Sequence, residues 1–246
     1  MIKVTNLSKA FGALRAVHEL SFEAAPRRIT SIIGPNGAGK STAFNLIAGT
    51  LRPDAGRVEL DGQDVTGAPS YKLARLGVAR SFQITNLFFG LSVLENVRLA
   101  CQSRARRARY LVRLDRLTEP AARAAELLEE FALAERADER VGNLSHGDQR
   151  RVEIAVAMAL APKLLMLDEP TQGLSVEETG QAVEVLSGLL AEGNMSVLLV
   201  EHDMEVVFRL AQRITVLHRG AVIADGLPDE VRLDAVVQTA YLGGFA

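Results

Sequence analysis

Short runs of β-branched and aliphatic residues at 29–33, 57–60, 164–167, 197–200 and 214–217 alternate along the chain with longer stretches of helical character. Such runs read as buried parallel strands, and their alternation with helices predicts an α/β fold. Two of them, 164–167 and 197–200, are apolar at every position. A strand with one wet face would alternate, so both faces of these strands are expected to lie under helices. Arg219-Gly220 separates 214–217 from 221–224 and predicts a two-residue hairpin late in the chain. From 91 to 161 the chain turns to Ala, Leu, Arg and Glu with almost no strand signal, which predicts a mostly helical insertion. No internal repeat or long low-complexity tract interrupts this plan.

A chain of 246 residues is long enough for one large α/β domain with a substantial core. Its 28 Lys and Arg against 30 Asp and Glu give no net field that draws nucleic acid or anionic lipid, so a charged partner must be met by a local patch. The single cysteine, Cys101, excludes an internal disulfide framework and points to a reducing compartment. The first nine residues show no secretory signal pattern. Although 48% of residues are hydrophobic, the longest uninterrupted apolar run is 154–161, far short of the roughly 20 needed to span a bilayer. Work at a membrane would need another chain to supply the span.

Candidate chemistry begins at Gly34-Pro35-Asn36-Gly37-Ala38-Gly39-Lys40-Ser41-Thr42, which follows the run 29–33 and precedes a helical stretch at 41–48. That is the setting a phosphate-binding loop requires. Its glycines let the backbone curl around a polyphosphate so that N–H groups and the positive end of the next helix face the anion. Lys40 then reaches the β- and γ-phosphates, and the Ser41 hydroxyl holds Mg²⁺. A glycine-rich turn without a ligand is the plain alternative, and the complete motif weighs against it. The loop by itself indicates only a bound nucleoside triphosphate.

The run 164–167 ends in Asp168 and Glu169. Beside the phosphate-binding strand, Asp168 would enter the Mg²⁺ shell and Glu169 would stand one residue further out as the candidate base for water. Two carboxylates before Pro170 could otherwise mark a surface turn. Leu144-Ser145-His146-Gly147-Asp148-Gln149 precedes an amphipathic stretch at 150–160. Ser145 is well suited as a helix N-cap, and the N–H groups after it form a second anion site, although an ordinary cap looks much the same.

Together, the loop at 34–42, the Leu-Ser-Gly-Gly-Gln-like stretch at 144–149, Asp168-Glu169 and His202 after the run 197–200 resemble the nucleotide-binding subunits of ABC transporters over nearly the whole chain. The resemblance implies an α/β P-loop NTPase core of ABC ATPase type with an antiparallel β-subdomain and an inserted helical subdomain. It makes 1–246 a single ABC ATPase domain, with 1–90 and 162–246 as core and β-subdomain and 91–161 as the helical subdomain carrying the signature. It further implies that Phe11 stacks on adenine and that Gln83 reaches Mg²⁺ and the attacking water. The loop 171–175 would cross a dimer interface, and His202 would contact the γ-phosphate. In the family, Ser145, His146, Gly147 and Asp148 complete the nucleotide site of a second subunit, so that two ATP molecules lie in a head-to-tail seam. His146 and Asp148 stand where the commonest signature has glycines.

The stretches 79–88, 200–204 and 239–243 resemble the ATPases of branched-chain amino acid importers, and the tail is also similar to the lipopolysaccharide exporter ATPase. The resemblance therefore implies ATP and Mg²⁺ as cofactors and two membrane-spanning permease subunits as partners. It also implies a second ATPase subunit, identical or a sister chain, and a solute-binding protein. The chain is expected in the cytoplasm, peripheral on the inner face of the cell membrane. An ABC ATPase acting on DNA or ribosomes is the competing class; a single compact cassette argues against it, and no nucleic acid partner is expected. Arg106, Arg109, Arg113 and Arg116 would form a basic stripe if helical, read first as a solvated face and second as a contact for lipid head groups or a membrane partner.

Overall fold

The computed structural model describes residues 1–81, 87–104, 118–191 and 195–242. Three strands without a polar face form its centre: β3 (Ile29–Ile33), β7 (Leu164–Asp168) and β8 (Ser196–Val200) are buried at every residue. They pair in parallel within a six-stranded sheet of order β10-β9-β3-β8-β7-β6, completed by β6 (Val78–Arg80), β9 (Arg213–His218) and β10 (Ala221–Gly226). Only β10 runs antiparallel to its neighbour. The expected hairpin joins β9 to β10, with Arg219 at φ 49° and Gly220 at φ 82°. Positive φ at both central residues is the twist-matched primed turn.

Successive side chains leave these strands on opposite faces. Ile29, Ile33, Leu165, Leu167, Val197 and Leu199 enter one core. That core is covered by α3 (Val93–Arg104), α4 (Thr118–Glu130), α5 (His146–Ala159), α6 (Val176–Ala191), α7 (Met204–Leu210), α8 (Pro228–Leu233) and α9 (Ala235–Leu242). Ile32, Leu164, Met166, Leu198 and Val200 enter the other, against α1 (Lys40–Ile47), α2 (Ser70–Arg75) and a four-stranded antiparallel sheet. This sheet has the order β2-β1-β4-β5, from β1 (Ile2–Phe11), β2 (Leu14–Ala24), β4 (Ala55–Leu60) and β5 (Gln63–Asp64).

Two expectations are corrected here. The run 57–60 lies in β4, which pairs antiparallel with β1 and β5 rather than joining the parallel sheet. Its inner residues Val58 and Leu60 are buried while Arg57 is exposed, the alternation of a strand with one wet face. For the same reason the second face of the large sheet is covered by a sheet as well as by helices. Between 91 and 161 the described residues hold α3, α4, α5, two 3-10 turns and one isolated bridge, Ser92 to Arg140. Among the described residues no helix is long and apolar enough to cross a membrane.

Phe44 on α1 is fully buried in the core between the two sheets. Phe44→Ala is expected to lower the unfolding free energy by about 3–5 kcal/mol, and Phe44→Leu by less than about 1.5 kcal/mol, in urea denaturation. Equal small losses would show that this layer is not packed as described.

Candidate functional site

Parallel register brings three strand ends to one level. Ile32 of β3 and Asp168 of β7 both pair with Val200 of β8. The chain therefore leaves these neighbouring strands side by side, as the phosphate-binding loop from β3, Glu169 from β7 and Glu201-His202 from β8. Ligands of open α/β sheets sit at such carboxyl ends.

The loop 34–39 is held from outside by backbone. Gly220 N–H donates to the Ala38 carbonyl at 2.9 Å, and the Gly220 carbonyl accepts from His18 N–H at 2.7 Å. The hairpin turn thus ties the loop to β2. Gly39, the residue before α1, has φ 99°, and a Cβ there would stand 2.2 Å from the Ala16 carbonyl oxygen. Lys40 is buried, and its ammonium donates to the carbonyls of Gly34 at 2.6 Å and Pro35 at 3.2 Å. Burial pushes its pKa down, opposed by Glu169 and Asp168. A cavity of about 570 Å³ opens over Asn36, Gly37, Ala38, Gly39, Lys40, Ser41 and Thr42, with Glu169 at one side and Leu14, Arg15 and Ala16 at another. A larger cavity of about 760 Å³ lies on the outer side of the loop, towards α9. Its walls include neither Lys40 nor a carboxylate, so the smaller one holds the groups suited to a polyphosphate. On that outer side the buried Tyr241 hydroxyl faces the Gly34 backbone without a well-formed hydrogen bond, and burial pushes the phenol pKa up.

Asp168 is almost wholly buried, and its Oδ2 lies 3.6 Å from Arg80 Nη2. Its Oδ1 is buried with no hydrogen-bond partner among the described residues. A buried carboxylate oxygen left open fits a hard divalent cation, which takes oxygen ligands and brings the missing charge. Burial raises the Asp168 pKa, while Arg80, Arg150 and Lys40 pull it back and Glu169 adds to the rise. Glu169 takes the left-handed backbone conformation, φ 48°, and its N–H donates to the Val200 carbonyl at 2.8 Å. His202 Nδ1 lies 3.7 Å from Glu169 Oε1 and 3.8 Å from Glu201 Oε2, and the His202 side chain is 52% exposed.

At the signature, the Ser145 hydroxyl accepts from Asp148 N–H at 3.1 Å, the expected cap of α5. Counted from Leu144, the five-residue pattern puts His146 in the first glycine's place but Asp148 in that of the glutamine. The reading of Asp148 as a glycine substitute is therefore corrected. Its buried carboxylate is paired with Arg151 and with Arg136, while His146 is exposed. Glu178 on α6 lies over this turn: its carboxylate accepts from Ser145 Oγ at 3.4 Å and from the Gly147 backbone, which holds its pKa down after the larger effect of Ser175. A Cβ at Gly147 would meet Glu178 Oε1 at 2.5 Å.

The strand ends bring together Lys40, Ser41, Asp168, Glu169 and His202. Phe11 is half exposed at the tip of β1 and does not line the cavity, whose mouth is formed by Leu14 and Arg15. Ser145, His146, Gly147 and Asp148 do not line it either. Gln83 and the stripe of Arg106, Arg109, Arg113 and Arg116 lie outside the described residues. Sequence reasoning missed Arg80, whose Nη1 also bonds Asn45 Oδ1 at 2.7 Å and Thr50 Oγ1 at 3.0 Å. It also missed Glu201, fully buried, whose Oε1 accepts from Thr171 N–H at 3.0 Å and Thr171 Oγ1 at 2.6 Å. The run 197–200 leading into Glu201 was the one available signal.

Comparison with known proteins identifies the family and the fold. The ABC transporter family matches residues 17–172, and a second family, described as branched-chain amino acid ATP-binding cassette transporter, matches residues 221–246. The chain is 40% identical to the high-affinity branched-chain amino acid transport ATP-binding protein BraF of Pseudomonas aeruginosa, covering 99% of this chain and 98% of the relative. It is 39% identical to LivG of Escherichia coli, a protein of the same description, with the same coverage. Among solved structures it resembles the ADP conformation of the ATP-binding cassette MJ1267 with a TM-score of 0.88 and 29% identity, covering 99% of this chain and 98% of that one. It also resembles the dimeric cassette MJ0796 in a post-hydrolysis state bound to ADP and Pi, with a TM-score of 0.79 and 29% identity over 93% of this chain and 99% of that one.

Two glycines of the loop should respond differently to a methyl group. Gly37→Ala, at φ 79° with open space around the added Cβ, is expected to cost about 1–2 kcal/mol of backbone strain. Gly39→Ala must also displace the Ala16 carbonyl, so it should weaken ATP binding the more severely of the two. Calorimetric titration with ATP checks this, and equal affinities would contradict the close approach.

Proposed function

Because the chain belongs to the ABC transporter family, we propose that its P-loop edge is one hydrolytic half-site of a two-subunit motor driving uptake of branched-chain or other amino acids through separate permeases. ATP hydrolysis follows from the family. The residue roles rest on one observation, the convergence of Lys40, Asp168, Glu169 and His202 where three parallel strands end.

ATP lies in the cavity over 36–42, its β- and γ-phosphates on the loop N–H groups of Gly37, Ala38 and Gly39 and on the N-terminus of α1. Lys40 exchanges its bonds to the Gly34 and Pro35 carbonyls for phosphate oxygens. Phe11 covers adenine beside Leu14 and Arg15, with Pro35, Asn36 and Thr42 shaping the loop. Ser41 and Asp168, with Gln83, would hold Mg²⁺. When bound, the ion would supply positive charge to offset that of the triphosphate. Glu169 accepts a proton from water as the water oxygen bonds to the γ-phosphorus and the bond to the leaving ADP oxygen breaks. His202, close to Glu169, orients the γ-phosphate.

The signature turn of each chain closes on the γ-phosphate held by its mate, through Ser145, His146, Gly147 and the start of α5. Glu178 holds a carboxylate at that turn, so the incoming phosphate must displace a like charge. The helical stretch 91–161 acts as the moving subdomain, and 1–90 with 162–246 as the core. The amino acid reading is supported by BraF and LivG and by the tail match at 221–246. It implies two permease subunits, a solute-binding protein and a place on the inner face of the membrane, with no nucleic acid partner.

Glu169→Gln should leave ATP affinity within about threefold and reduce turnover by about 100-fold or more, while cells carrying it lose energised uptake of leucine, isoleucine and valine. Retained turnover in the purified variant would remove Glu169 as the base. Unchanged uptake beside abolished turnover would remove the amino acid assignment. Glu178→Gln is expected to lower the ATP concentration at which dimers form, read by sedimentation with Glu169→Gln as background. An increase would show that Glu178 supports the turn instead of competing for it.

A further inference from the structure

Arg150 has no part in the roles above, yet its guanidinium is the most heavily engaged group beside them. It lies on α5, in the second turn after the cap Ser145. Its Nη2 donates to the carbonyls of Asp168 at 2.9 Å and Glu169 at 3.0 Å, and its Nε to the carbonyl of Pro170 at 3.2 Å. Its Nη1 donates to Glu153 Oε2 at 2.6 Å. Three successive carbonyls at the end of β7 are therefore gripped by one rigid fork, a geometry the point charge of a lysine cannot reproduce.

What those carbonyls hold in place is a strained residue. Glu169 is a non-glycine residue at φ 48°, and such a conformation persists only where its surroundings over-determine it. From one side its N–H is fixed to Val200 of β8. From the other its carbonyl accepts from Arg150 Nη2 at 3.0 Å and, across the following turn, from Gln172 N–H at 3.2 Å. The left-handed turn places Glu169 on the wall of the phosphate cavity; the Gln172 bond lies within the turn itself, so Arg150 is what ties the turn to α5, and losing it would let the carboxylate shift away from the cavity.

We propose that Arg150 is a positioning residue: it locks the turn at Glu169, and because its helix begins at Ser145, it links the signature turn to the chain's own hydrolytic carboxylate. In a head-to-tail dimer the signature of a chain faces its mate's nucleotide while Glu169 faces its own. Arg150 is then a rigid path by which closure on one nucleotide reports to hydrolysis of the other. This rests on the reading of Glu169 as base.

Arg150→Met leaves Glu153 buried without its cation, which by itself destabilises the fold. The informative variant is therefore Arg150→Met/Glu153→Met, in which both charges are gone. It is expected to recover the Tm lost in Arg150→Met while kcat for ATP stays at least about tenfold down and KM moves less than about threefold, as misplacement of a reacting group predicts. Arg150→Lys should recover part of kcat. If the double variant regains kcat together with Tm, Arg150 only neutralises Glu153 and the proposal is overturned. Wild-type kcat in Arg150→Met overturns it as well. Glu169→Gln, assayed in parallel, separates the two readings. If Glu169→Gln abolishes turnover and the arginine variants do not reduce it, only the positioning role falls; if Glu169→Gln keeps turnover, both fall.

Discussion

The pairing of Ile32 and Asp168 with the same residue, Val200, is the constraint on which the rest of the molecule depends. Parallel strands buried on both faces cannot slip, because a shift of one residue would turn every side chain into the wrong core. With β3, β7 and β8 locked in this way, the first residues beyond them have fixed heights. A loop, a carboxylate pair and a histidine far apart in sequence therefore share one edge. Among the described residues, no side chain with a proposed role in hydrolysis has to be placed by a long segment.

Electrostatics follow from the same packing. Asp168 and Glu201 are buried at that edge and Glu169 is mostly so, which is costly unless each is matched. Lys40 and Arg80 lie on the loop side and Arg150 on the signature side, and Thr171 satisfies Glu201. Among the described residues, Asp168 Oδ1 is a buried oxygen without a hydrogen-bond partner, and it belongs to the carboxylate for which the proposed reading needs an ion. The second sheet contributes restraint rather than chemistry: β2 approaches the loop at Ala16 and, through Gly220, at Ala38.

The central strands were legible in the sequence because burial on both faces removes polar positions altogether. β1 and β2 were not. Their pairing shifts register between Val4 and Leu7 and again before Lys9, and Asn6 and Glu19 take positive φ, so the two-residue period that marks a strand is broken. β6 has only three residues, too few to carry a pattern. The loop at 34–42 and the Asp168-Glu169 pair announced themselves because their chemistry is contained in one short stretch. Arg80, Arg150 and Glu201 did not, since each is an ordinary residue until the fold sets it against β7 or the loop that follows. Asp148 looked like part of an anion site, and only its two arginine neighbours show where its charge is spent.

The account turns on whether one γ-phosphate meets all three strand ends at once. A structure of the Glu169→Gln chain with ATP and Mg²⁺ tests that most directly. It should show Lys40 released from the Gly34 and Pro35 carbonyls onto the γ-phosphate, residue 169 and His202 within reach of it, and Ser145 and Gly147 of a second copy on its far side. A bound ATP with Lys40 still on its own loop, and with residue 169 and His202 turned away, would contradict the account.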